Sequence, residues 1–179
     1  MNLIDSSYFI DEIALPGFKS ESKYQTFDDI TVNGMNLTRF ISVHQKHFLH
    51  LLLGEKLANA FLREISAESP SEIWTDIKNH LVDSELKISP IANYVYFFVM
   101  RYGVTYTSPS GEKKGKSDYA YNASPRDKCI FAWNAMVDMN ICFAEWLLLN
   151  FDRYREFTDS YSIACMINPE LLEFINPCI

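Results

Sequence analysis

Ser89-Pro90-Ile91-Ala92-Asn93-Tyr94-Val95-Tyr96-Phe97-Phe98-Val99-Met100 is the stretch that decides the fold. Serine followed by proline opens a helix. The hydroxyl takes a free backbone N–H, and proline at the first helical position lacks the donor that would be orphaned there. Ile91, Tyr94, Val95 and Phe98 then form one stripe at spacings of three and four, while Tyr96, Phe97 and Val99 make the helix apolar nearly all round. Such a helix is buried inside a bundle or against another subunit. The apolar run from Ile91 to Met100 is too short to span a bilayer.

The same opening recurs on both sides. Ser69-Pro70-Ser71-Glu72 reads as a capping box with proline at the first helical position, followed by an apolar face of Ile73, Trp74, Ile77 and Leu81. Ser124-Pro125-Arg126-Asp127 predicts the longest helix, reaching about Phe151. Upstream, Leu37, Phe40, Ile41, His44, Phe48, Leu51 and Leu52 repeat at helical spacing and predict a helix from about Asn36 to Leu53. Gly54 suits the position just beyond its end. A shorter helix should follow, with Leu57, Phe61 and Ile65 on one face. Pro169 to Ile175 reads as one more short turn of helix.

These elements predict a mostly α, single-domain chain over residues 1–179: a bundle of about five helices. Residues 1–35 form an extended arm, 36–152 the helical core with a loop at 103–123, and 153–179 a C-terminal tail. In the arm, Tyr8-Phe9-Ile10-Asp11-Glu12-Ile13-Ala14-Leu15 is β-prone and is stopped by Pro16-Gly17, so it reads as a strand or extended segment. The segment Gly103 to Ala123 is long for a connection between helices. Val104 to Thr107 would make one arm of a β-hairpin whose tip is Pro109 to Gly115.

Composition narrows the function. The chain has 179 residues, a net charge of −7, 48% hydrophobic and 15% aromatic residues. The acidic balance lacks the broad positive field that nucleic-acid binding requires. The aromatic excess suits a core plus contact surfaces. The N-terminus has no basic region followed by an apolar run, so no signal peptide is expected. Cys129, Cys142, Cys165 and Cys178 form no Cys-x-x-Cys pair and read as free thiols in a reducing compartment.

No catalytic, metal or cofactor site is expected. His44, His47 and His50 are spaced so that two helical steps carry the third ring well away from the first, and the three cannot share one ion. Asp28-Asp29 reads as a solvated or capping pair. There is no glycine-rich dinucleotide or phosphate loop and no nucleophile elbow. On the long helix, Trp133, Asn134, Met136, Asn140 and Trp146 combine apolar bulk with two amides. Those amides either bond at the edge or interior of the bundle or fix the register between subunits. The candidate interface residues are Tyr8, Phe9 and Ile10 in the arm, Tyr106, Lys113, Lys114, Lys116, Tyr119 and Tyr121 in the loop, and Ile179 at the apolar C-terminus. Tyrosines anchor contacts, and the lysines place local positive charge on an acidic chain.

Several of these stretches resemble a family. They are Tyr8-Phe9 to Leu15-Pro16, Leu37-Thr38-Arg39-Phe40-Ile41, Phe48-Leu49 through Leu52-Leu53-Gly54, Ser89 to Tyr96, and Ser124-Pro125 with Lys128 and Ala132-Trp133-Asn134-Ala135-Met136-Val137. Together they resemble proteins encoded in phages and prophages of Bacteroides-type bacteria and, through them, phage head–tail connector (adaptor) proteins. The resemblance implies a helical virion protein, assembled in the bacterial cytoplasm, that forms a homo-oligomeric ring of about twelve copies closed by heterologous contacts. The implied partners are the portal protein and tail or further neck proteins. DNA would pass through the ring without sequence-specific contact. The alternatives are a tail-completion or assembly factor from a mobile element, and a small helical enzyme. Clustered ionisable residues in a cleft would mark the enzyme.

Overall fold

The computed structural model describes residues 1–15, 31–32, 35–103, 105–108, 111–114, 126–159, 162 and 166–176. The chain is mainly α-helical. Four α-helices are seen among the described residues: α1 (Leu37–Glu64), α2 (Glu72–Leu81), α3 (Pro90–Gly103) and α4 (Arg126–Asn150). Short antiparallel pairings join Thr31–Val32 to Met35–Asn36, and Thr105–Ser108 to Gly111–Lys114. Pro16-Gly17, Asp28-Asp29, Asn33-Gly34, Lys116, Tyr119, Tyr121, Ser124-Pro125, Cys165, Cys178 and Ile179 lie outside the described residues.

Helix α3 is the centre of the packing and lies between α1 and α4. Ile91, Ala92, Tyr94, Val95, Tyr96, Phe97 and Val99 are all buried, as a helix apolar on every side requires. Its start follows the serine–proline logic. The Ser89 Oγ accepts from the Ile91 N–H at 3.2 Å and donates to the Leu81 carbonyl at 2.8 Å, so one hydroxyl ties the end of α2 to the beginning of α3.

Helix α1 is broken at Gly54, where φ 71° and ψ 163° leave helical space. That conformation is essentially restricted to glycine. The break frees carbonyls of the preceding turn, and the Asn168 N–H donates to the Leu51 carbonyl at 2.8 Å. A Cβ on Gly54 would stand 3.2 Å from the Met166 Cγ. The glycine therefore makes room for the chain segment that satisfies the helix end.

Three expectations are corrected. Tyr8–Leu15 is not a strand: Ser6–Tyr8 and Asp11–Ile13 are 3-10 turns. The Asp5 carboxylate caps the first turn by accepting from the Ser7 N–H at 2.8 Å. The segment is also no free arm. Leu3, Ile4, Tyr8, Phe9 and Leu15 are buried in the core. The buried Gln45 amide clamps the N-terminus, accepting from the Leu3 N–H at 2.6 Å and donating to the Met1 carbonyl at 3.3 Å. Second, the capping box at Ser69 does not form. Helix α2 begins at Glu72 with Ser71 at its N-cap, whose carbonyl accepts from Trp74 and Thr75. Third, Pro169–Leu172 is a 3-10 turn rather than a helix to Ile175, capped by the Asn168 side chain.

The segment after α4 packs on the core. Tyr154 is fully buried, and its hydroxyl donates to the Ile73 carbonyl at 3.0 Å. Further on, α4 holds the chain with three side chains. Trp133 Nε1 donates to the Glu173 carbonyl at 2.9 Å. Asn134 bonds both backbone groups of Ile175, at 3.1 and 2.8 Å. Asn140 Nδ2 donates to the Leu171 carbonyl at 2.9 Å. Both amides thus act inside one chain, where they set the register of residues 171–175 along α4. Trp133 is half-buried, packed on Phe97 at 4.8 Å.

Candidate interaction surface

A groove runs along α4 between two other pieces of chain. Its floor on α4 is Phe131, Ala135, Asp138, Met139 and Cys142, spaced to lie on one helical face. One wall is the N-terminal segment from Tyr8 to Ile13. The other is the connection between α2 and α3, Val82 to Ser89. Two hollows of about 400 and 330 Å³ share Ile88, Asp138 and Met139 and so form one depression.

Local chemistry holds each wall. The α2–α3 connection closes on itself through reciprocal backbone bonds between Asp83 and Ile88 at 2.9 and 3.2 Å. The Asp83 carboxylate accepts from the Glu85 and Leu86 N–H groups at 2.9 and 2.8 Å. The turn reverses at Lys87, which has φ 57°. The N-terminal wall reverses at Asp11, with φ 51°. Non-glycine residues with positive φ are uncommon, and both of these line the groove. The walls also touch each other. Lys87 Nζ sits 5.0 Å above the Tyr8 ring, and the Tyr8 hydroxyl lies 3.5 Å from Ser84 Oγ.

The surface so built is apolar and acidic. Ile10, Leu86, Ile88 and Phe131 are 43%, 63%, 50% and 48% exposed and line one continuous depression. Asp11, Glu12, Asp127 and Asp138 surround them, against Lys87 and Lys128. Grouped exposed apolar residues rimmed by polar ones mark contact sites.

The perturbed ionisable groups are elsewhere, in the packing of α1, α3 and α4 and at Tyr154, which packs on α2. Burial holds His44 down to about 4, helped by His47. Its ring stacks on Phe98 at 4.8 Å and lies 4.1 Å from Phe40. Burial pushes the Tyr94 hydroxyl up to about 12, with Glu170 adding to the effect. His47 Nδ1 lies 2.8 Å from that hydroxyl. The His50 Nε2 points elsewhere, 3.2 Å from Asn59 Oδ1, so the three histidines serve three separate contacts. Among the described residues no group of His, Cys, Asp or Glu side chains is arranged to hold a metal ion. No described helix is long and apolar enough to cross a membrane. Cys129 is a buried free thiol and Cys142 an exposed one.

The expected interface residues divide. Tyr8 and Phe9 are 3% and 7% exposed, so their rings belong to the core and not to a free contact surface. Ile10 is exposed and stands on the groove wall. Tyr106, Lys113 and Lys114 lie on the paired strands, with Tyr106 opposite Lys113 and Thr105 opposite Lys114. The sequence reading missed Leu86, Ile88, Phe131 and the acids around them. A signal existed: Leu86 and Ile88 alternate with charged residues in a segment too polar for core, and Phe131 is off the buried stripe of α4. No family model, curated protein or solved structure matches the chain.

Proposed function

We propose that this chain acts by protein–protein contact, as a subunit of a homo-oligomeric ring at a phage head–tail junction between portal and tail. In the finer architecture that goes with this reading, the two halves of α1 count separately, giving a bundle of about five helices, and a β-hairpin insertion projects between α3 and α4. The observation that supports the reading is the groove: exposed Ile10, Leu86, Ile88 and Phe131 held together on walls that are fixed by their own hydrogen bonds. A preformed apolar depression on a folded domain costs little ordering entropy when a partner fills it.

The partners under this reading are other copies of the chain, the portal protein and further neck or tail proteins, in a virion assembled in the bacterial cytoplasm. It requires no cofactor. Co-expression with a tagged portal protein from the same genome tests it. The chain should co-purify with the portal in a multi-copy complex that survives size exclusion. A chain that elutes alone, under conditions where portal and other neck proteins still associate, refutes the proposal.

A further inference from the structure

Resting on that reading, we propose that the acidic groove of one copy receives the lysine-bearing strand Gly111–Lys114 of a second copy. The argument is charge complementarity between two patches of a single chain. Asp11, Glu12, Asp127 and Asp138 surround the apolar floor, and the described basic residues that line it with them are Lys87 and Lys128. Lys87 is already engaged with the Tyr8 ring. Among the described residues, none of the four carboxylates lies within ion-pair distance of a basic side chain. The described lining of the groove therefore carries more acid than base around exposed Ile10, Leu86, Ile88 and Phe131.

The matching segment is Glu112-Lys113-Lys114, in a chain whose overall charge is −7. It belongs to a strand paired with Thr105–Ser108, and the rung Tyr106–Lys113 brings an aromatic residue and a cation to one position. An aromatic residue suits the apolar floor and a lysine suits the acidic rim. The donor segment and the receiving groove are different surfaces. Each copy thus offers one of each, and the contact is heterologous, the kind that closes into a ring or runs on as a filament. The same charges disfavour a membrane surface or nucleic acid as occupant, since both are anionic.

Charge exchange between copies tests this directly. Wild-type protein should self-associate in sedimentation velocity, and the association should weaken between about 0.05 and 0.5 M salt because exposed charges are screened. Lys113→Glu/Lys114→Glu should weaken association at least tenfold, and so should Glu12→Lys/Asp138→Lys. Glu12 and Asp138 are exposed, and circular dichroism identifies any variant that fails to fold. Mixing the two variants should restore association, since the unaltered strand of one meets the unaltered groove of the other and both altered surfaces are again opposite in sign. A wild type that stays monomeric overturns the inference, as does either variant associating like wild type, or a folded mixture without rescue. Portal co-purification would persist in all three cases if only the inference is wrong, and would be lost as well if the connector reading is wrong.

Discussion

Replacing Gly54 by alanine reports on the break in α1 through the sign of its effect. Gly54 has φ 71° and ψ 163°, a region other residues occupy at a cost of about 1–3 kcal/mol. The new methyl would also meet the Met166 Cγ at 3.2 Å, which forces a flexible side chain aside. Alanine stiffens the unfolded chain and returns about 0.4–1 kcal/mol. The net expectation is a loss of about 1–2 kcal/mol, or roughly 2–8 °C in melting temperature for a chain of this size. If Leu37–Glu64 were instead one continuous helix in solution, the same change would stabilise by about 0.8–1 kcal/mol, because glycine is that much poorer than alanine in a helix interior. Urea titration of both proteins by far-UV circular dichroism decides it. A raised midpoint with unchanged slope would refute the broken helix and the docking of Asn168 on the Leu51 carbonyl.

Other perturbations follow from single contacts. Asn134→Ala removes both bonds to the Ile175 backbone and should cost about 1–3 kcal/mol; amide exchange at residues 171–175 should quicken while α3 stays protected. Tyr154→Phe leaves the Ile73 carbonyl without its buried donor and should cost about 1–3 kcal/mol by urea titration. His44 sits well below its ordinary value, at about 4, so the unfolded chain takes up a proton that the folded one refuses between about pH 6.5 and 4. Stability should fall with pH through that window, and His44→Phe should flatten the dependence in urea midpoints at pH 7.5 and 5.

Much of the helical core was legible because its signals are local. Proline at 90 lacks a backbone donor and suits the first position of a helix; glycine at 54 can reach a backbone that stops one. The N-terminal segment misled because Tyr8, Phe9 and Ile10 are β-prone by type, whereas their conformation is set by burial of Tyr8 and Phe9 and by the turn at Asp11. Asn134 and Asn140 stood out as polar residues in an apolar helix, but their partners are backbone groups at Ile175 and Leu171, which no spacing rule connects. The groove was invisible for the same reason. It exists only where three stretches far apart in sequence, around Ile10, Ile88 and Phe131, come together.

The proposed role makes this chain a structural part of an assembled particle. The most direct measurement is its copy number in purified virions, by quantitative mass spectrometry against the portal protein of the same particle. A closed ring requires a fixed stoichiometry, and the proposed connector role sets it at about twelve copies. Its absence from particles whose portal and tail proteins are present in full, with the chain remaining in the lysate, would contradict it.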